Sequence, residues 1–412
     1  MKYWLVLWVL FCSIFMRAQL QYEQVFDENI QAVSLKGSTD IPLVALGQTN
    51  TLLLSFDDLA GGFSQYTYTL VQYRSDWTPV SQQAFDYLSG FTEGDIRQYN
   101  FSYNTYQDYT HYQLSFPENN MQPSQSGNYC IWVYKNFDKN QPILCKRFVV
   151  VENIFPIQPK GFVDNFGAII DQQQRIEFLV KYRPDIIFNP LTDLTVSIFQ
   201  NGRWDNSISE VQPRTYFGNE LEFSIVDRNM FDNNAGFRYF DSRTLSAPAR
   251  VYEINEQTEP KQIWLDTDYP QGKENYPYRM NSLKGAFYDG WVFSNDARFD
   301  TDYFQVHFSL RTDTTFADAG VYLWGEFTQW KAEQENELTY NERKGTYEAT
   351  LYLKQGLYSY QYMVCDEENN CSAQVFEASP RNVANSYTIL LYHRDFNAVN
   401  DRVVGYFIVE AL

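Results

Sequence analysis

The chain has 412 residues, of which 32 are Tyr, 32 Phe and 9 Trp, against 3 His and 5 Cys. Disordered chains lack such aromatic content, and so few His and Cys exclude a metal-dense or histidine-rich centre. The 51 acidic and 32 basic residues leave a net charge of -19, a field that repels nucleic acid and anionic lipid headgroups.

Met1-Lys2, an apolar run from Tyr3 to Met16 and then Arg17-Ala18-Gln19 have the charge order and length of a secretory signal peptide over residues 1–18, cut after Ala18. Leu10 and Phe11 are too bulky for a lipoprotein site at Cys12. No later segment approaches the roughly 20 apolar residues of a spanning helix, so direct membrane insertion is not expected. Export places the four remaining cysteines in an oxidising compartment. Cys130 and Cys145 lie on two apolar runs around the polar connection Lys135–Gln141, which predicts a β-hairpin with a cross-strand disulfide. Cys365 and Cys371 flank five polar residues at the tip of a second hairpin and form a second candidate disulfide. Neither pair has zinc-site spacing.

Period-two alternation recurs along the chain, at Thr51–Phe56, Tyr66–Tyr73, Leu194–Phe199 and Tyr347–Leu353, with Asn, Asp, Gly and Pro between the runs. No stretch of helical periodicity stands beside them. The fold class is all-β, with several Ig-like β-sandwich domains in tandem. At about 150 residues per domain the length suits three. Connector composition divides them into 19–153, 154–300 and 301–412, with Pro156 and Pro159 marking the first linker and a polar stretch from Leu265 to Asp302 the second. No repeat of fixed period is visible.

His111, His307 and His393 are far apart and lack any local nucleophile signature, so each reads as a packed or edge-strand histidine rather than a general base. There is no G-x-S-x-G elbow, phosphate-binding lysine loop or H-E-x-x-H. Catalytic, cofactor-binding and metal-binding residues are accordingly assigned to none. The oxygen-rich run Asp227–Gly236 lacks the spacing of a helix-loop-helix calcium site and reads as a turn. Val321–Trp330, followed by Gly356-Leu357-Tyr358-Ser359-Tyr360, resembles the early-set Ig-like modules that bind starch or glycogen, whose pattern is G-x-F-x-x-W and then G-x-Y-x-Y. That likeness makes Trp330 a candidate sugar-stacking residue. The second aromatic that binding members carry after the hairpin is missing from Asp366–Ala373.

A wider resemblance runs through Gln72–Pro79, Tyr87–Phe91, Ser102–Thr105, Tyr109–Tyr112, Ser126–Tyr129, Gln200–Asp205, Phe237–Asp241, Gly325–Phe327, Leu353–Gly356, Tyr392–Arg394 and Asp401–Gly405. In that order these segments resemble the plug protein family of the type IX secretion system of Bacteroidetes. The resemblance implies a periplasmic, non-enzymatic, monomeric plug without cofactors. Such a plug binds the periplasmic mouth of the outer-membrane translocon barrel and seals it sterically in the absence of cargo. The alternative is a periplasmic or surface glycan-binding protein acting through the C-terminal module and Trp330. The resemblance does not say which residues face the barrel.

Overall fold

The computed structural model describes residues 23–49, 51–159, 167–170, 173–223, 230–232, 236–271, 283–290, 298–377 and 385–411. The signal segment at 1–18 and most of the Asp227–Gly236 run lie outside them. Regular structure among the described residues is almost entirely antiparallel strand, and its helical elements are single turns such as Ala84–Tyr87 and Pro190–Asp193.

The first core lies between two sheets. One runs in the order Ile30–Lys36, Leu52–Asp58, Thr110–Phe116, Gln98–Phe101; the other contains Pro142–Val151, Gly127–Lys135 and Tyr66–Tyr73 as neighbours. Alternation turns Leu52, Leu54 and Phe56 inward against Tyr66, Tyr68, Leu70, Ile131, Val133, Phe148 and Val150, while Leu53 faces outward. In the hairpin ladder Cys130 lies opposite Arg147 and Cys145 opposite Trp132. The two cysteines are thus diagonal neighbours, a stagger that puts Cα atoms about 7–8 Å apart, beyond what a disulfide spans without backbone movement. Here the structure departs from the expected bridge. Both residues are buried thiols, and Cys145 is hydrogen-bonded to Cys130. The turn sets this register through the Lys135 N–H, which donates to the Gln141 carbonyl. Cys365 and Cys371, by contrast, stand directly opposite one another and are joined.

The second core is enclosed by Leu194–Gln200, Asn385–His393 and Arg402–Ala411 on one side, and by Phe178–Lys181 and Glu220–Phe223 on the other. The third fills a ten-stranded sheet that curls over itself, from Arg238–Asp241 through Gly356–Asp366, Ala319–Trp324, Glu337–Asn341, Thr346–Lys354 and Tyr303–Arg311 to Gln262–Leu265 and Val251–Asn255. Chain order and core membership therefore part company. Phe240, Ile263 and Phe287 belong to the third core, ahead of the expected boundary at 300, and Tyr387, Ile389 and Val404 return to the second. The cause is strand pairing: Leu194–Gln200 takes Asn385–His393 as its neighbour, so the last two strands complete the middle sandwich.

Candidate functional site

Three junctions hold the cores together, and side chains from the sequence motifs meet there. The first joins the N-terminal core to the third. Leu52–Asp58 carries its apolar alternation to Phe56 and then presents Asp57, which is fully buried. Lys354, at the end of Thr346–Lys354, reaches across and donates to Asp57 Oδ2 at 2.7 Å and to the Arg298 carbonyl at 2.7 Å. The Tyr303 hydroxyl donates to the same Oδ2 at 2.7 Å, and His111 Nδ1 lies 2.6 Å from Oδ1. The Lys354 ammonium sits 4.3 Å from the centre of the Tyr109 ring. Burial works to raise the Asp57 carboxyl, but Lys354 and then His111 outweigh it and hold it below the usual carboxylate range. Lys354 moves the opposite way, its ammonium stabilised by Asp57 against the cost of burial. Beside this cluster, Asp302 accepts the backbone N–H groups of Tyr106 and Gln107 at 3.1 Å and the Lys261 ammonium at 2.8 Å.

The second junction joins the N-terminal core to the middle one. Ile41, Leu43, Val149 and Val151 pack on Phe199, Leu390, Tyr392 and Val403. Polar groups line the rim of that contact. Tyr392 donates to Asn128 Oδ1 at 2.9 Å, and the Ser75 amide and hydroxyl donate to Asp401 Oδ2 at 2.8 and 2.9 Å. Arg394 clamps Asp401 with both arms, and Arg402 does the same to Glu152, which also accepts from the Ser126 hydroxyl at 2.6 Å. Burial raises Asp401, but the Arg394 and Ser75 hydrogen bonds prevail and depress it; Glu152 is depressed likewise by Arg402 and Ser126.

The third junction settles the position of Trp330. The chain turns through Glu326–Thr328 and passes Gln329 and Trp330 with positive φ, which throws the indole back between two cores. The Arg203 guanidinium lies 4.3 Å over its ring and Phe237 packs edge-on at 6.1 Å. Gly285 is so close that a Cβ there would stand 2.1 Å from Trp330 Cη2. Arg203 thus covers one face of the indole and Phe237 its edge, so Trp330 is packed as a wedge between the cores, while it also lines a cavity with Trp204, Lys36 and Arg147. Its neighbour Trp324 donates from Nε1 to Asp205 at 3.2 Å, tying the middle core to the third once more.

The histidines do not converge. His111 and Asp57 form an almost wholly buried pair with Tyr303 and Lys354 on the second carboxylate oxygen. His307 is flanked by Thr350 at 2.8 Å and Gln262 at 2.5 Å, and stacks on Trp264 with ring centres 4.8 Å apart. His393 lies in its ladder opposite Leu194, with burial lowering its pKa. Among the described residues no three His, Cys, Asp or Glu gather as a metal site, and no helix is long and apolar enough to cross a membrane, which leaves β-barrels unaddressed.

Single-sequence reasoning missed Asp57, Asp302 and Arg203 as junction residues. A signal existed for Arg203 and for other junction residues: Ser75, His111, Ser126, Arg203, Lys354, Arg394 and Asp401 all sit inside the segments that carried the whole-chain resemblance. Those residues are scattered in sequence and gathered at the contacts between cores. Residues 28–152 match the family described as Type 9 secretion system plug protein 1st domain. This N-terminal unit is a type 9 secretion system plug domain. Joined to that plug domain, the rest of the chain keeps a known architecture. The crystal structure of a hypothetical protein from Parabacteroides merdae superposes with a TM-score of 0.85 at 27% identity, covering 94% of this chain and 99% of that one. Red sea bream transglutaminase aligns over 52% of this chain and 28% of its own at 10% identity, but a TM-score of 0.15 carries no structural argument. No curated protein matches the chain. The plug family is defined by a secretion system and is not an enzyme family.

Proposed function

We propose that this chain is a periplasmic plug that closes the inner mouth of the type IX outer-membrane translocon barrel by occupying it, one chain to a pore. The plug-domain match over 28–152 carries the reading. The junctions support it mechanically. A gate that works by filling space must not flex, and each pair of cores is tied by buried or partly buried charge-assisted hydrogen bonds instead of a bare linker. The apolar run at 3–16 supports export. Residues 1–18, 19–153, 154–300 and 301–412 remain the sequence division of the chain, with strands exchanged between the last two blocks.

Co-purification from detergent-solubilised outer membranes tests the reading. The tagged chain is expected to bring down a large barrel subunit, and cells lacking it are expected to admit solutes that an intact outer membrane excludes. Recovery of the chain without any barrel, with unchanged permeability, would sink the proposal.

A further inference from the structure

His393 stands at the joint between the first two cores. It ends the strand Asn385–His393, with Leu194 opposite it on one side and Arg402 on the other, and it is 2% exposed. Arg402 clamps Glu152 of the N-terminal core. Arg394, the next residue, clamps Asp401, which accepts from the Ser75 amide of that core. The imidazole therefore sits beside both arginine clamps of this junction.

The two ring nitrogens are unequal. Nε2 lies 3.4 Å from Asp395 Oδ1, on a side chain that is 59% exposed. Nδ1 is buried and has no hydrogen-bond partner among the described residues. A neutral ring fits this arrangement, because Nε2 can carry the proton towards Asp395 and leave Nδ1 a bare lone pair. A protonated ring does not, because Nδ1 then bears a buried N–H without an acceptor. Charged groups reach the ring from each element beside it. Asp395 on the loop that follows, Asp193 from the turn Pro190–Asp193 and Glu152 from the N-terminal core favour the cation, and Arg402 from the neighbouring strand opposes it. Asp193 and Glu152 are already engaged, the first by the Asn189 amide and the Thr192 hydroxyl, the second by Arg402 and Ser126. Burial prevails over the carboxylates, and the fold favours the neutral ring.

We propose that His393 is a proton-sensitive latch on the contact between the N-terminal and middle cores. Neutral, it leaves both clamps closed; protonated, it loosens the contact at Ser75 and Val403, whose N–H groups donate across it to Asp401 at 2.8 Å and to the Ser126 hydroxyl at 3.1 Å. An imidazolium recovers a partner for Nδ1 only by leaving its place. The residues tied to it in chain and ladder, Arg394 and Arg402, are the ones that hold the two cores together. A histidine kept neutral by the fold adds stability that is complete above its unfolded pKa of about 6.5 and is lost as pH falls towards the lower, folded value. That onset separates it from Asp401 and Glu152, whose contributions are complete down to about pH 4.

The test follows amide exchange of the full mature chain at Ser75 and Val403, at pH about 7.5 and about 5.5, with the chemical pH dependence of exchange divided out. In the unaltered chain, protection at both amides is expected to fall at least about twofold between the two conditions. His393→Gln, which cannot gain the charge, should hold its protection. His307→Gln, whose histidine lies on the strand Tyr303–Arg311 of the third core, should lose it as the parent does. An NMR titration of the His393 ring in the unaltered chain keeps the test decisive even if the Gln variant does not fold. Its midpoint should lie below about 6.5 and coincide with the change at the two amides. Equal loss in His393→Gln and the parent, no loss in the parent, or a ring midpoint at or above about 6.5 would each overturn the proposal.

Discussion

Lys354 shows how much one side chain holds. It and Asp57 are both fully buried, and each neutralises a charge that the interior would otherwise reject. Replacing Lys354 with Met leaves Asp57 facing Tyr303 and His111 without its main counter-charge. Removing one partner of a buried pair costs about 3–5 kcal/mol, so Lys354→Met should lower the urea midpoint sharply, and Asp57→Leu combined with Lys354→Met should recover part of the loss. A double variant no better than the single would mean that the ion pair is not what holds this junction. Trp330 makes the same point for an aromatic. Trp330→Ala removes a half-buried wedge and should destabilise by about 3 kcal/mol, with retention on α-glucan unchanged from the parent. Loss of glucan retention would instead restore the sugar-stacking role.

At the level of elements, the local sequence was highly readable. The alternation at Tyr66–Tyr73 and Leu194–Phe199 became the strands Tyr66–Tyr73 and Leu194–Gln200, because period-two patterning fixes which face a strand buries. It does not name the neighbour. Nothing in Leu194–Phe199 points to Asn385–His393 nearly two hundred residues on, and Asn385–His393 is buried on both faces, so burial of one face alone does not mark it as the partner. The cysteines failed for a related reason: the hairpin was legible, but its stagger was set by turn geometry at Lys135–Gln141. The turn before Phe287–Asp289 offers a direct test of how tightly elements are keyed. Gly285 has φ +86° and its missing Cβ leaves room for Trp330 and Phe237. Gly285→Ala must strain the backbone and displace the indole together, costing about 2–4 kcal/mol. Thermal unfolding should show the loss, and Gly218→Ala, also at positive φ but in open space, should show only the smaller backbone share.

For the whole molecule the question is whether three cores behave as one body, and acid separates the contributions. Asp57, Asp401 and Glu152 all have carboxyl pKa values held below their ordinary ones by partners across or beside the junctions. A depressed carboxylate adds stability that is complete above its unfolded pKa of about 4 and is lost as pH falls through the lower, folded value. Within the third core Glu377 has the opposite sign. Burial, opposed by Arg238, pushes it up to about 7, so the folded state favours its protonated form and that contribution weakens as pH rises from about 4.5 towards 7. Lowering the pH to about 3 therefore weakens the junctions while relieving a cost inside the third core. Amide exchange should accelerate first at Ser75, Asn128 and Val403, along the contact between the first two cores, while Gly356–Asp366 stays protected. Scattering should record a gain in radius at that stage, before the loss of sheet signal. Simultaneous loss of protection at both places would mean that the cores are not separable units and that the junction carboxylates do not govern their cohesion.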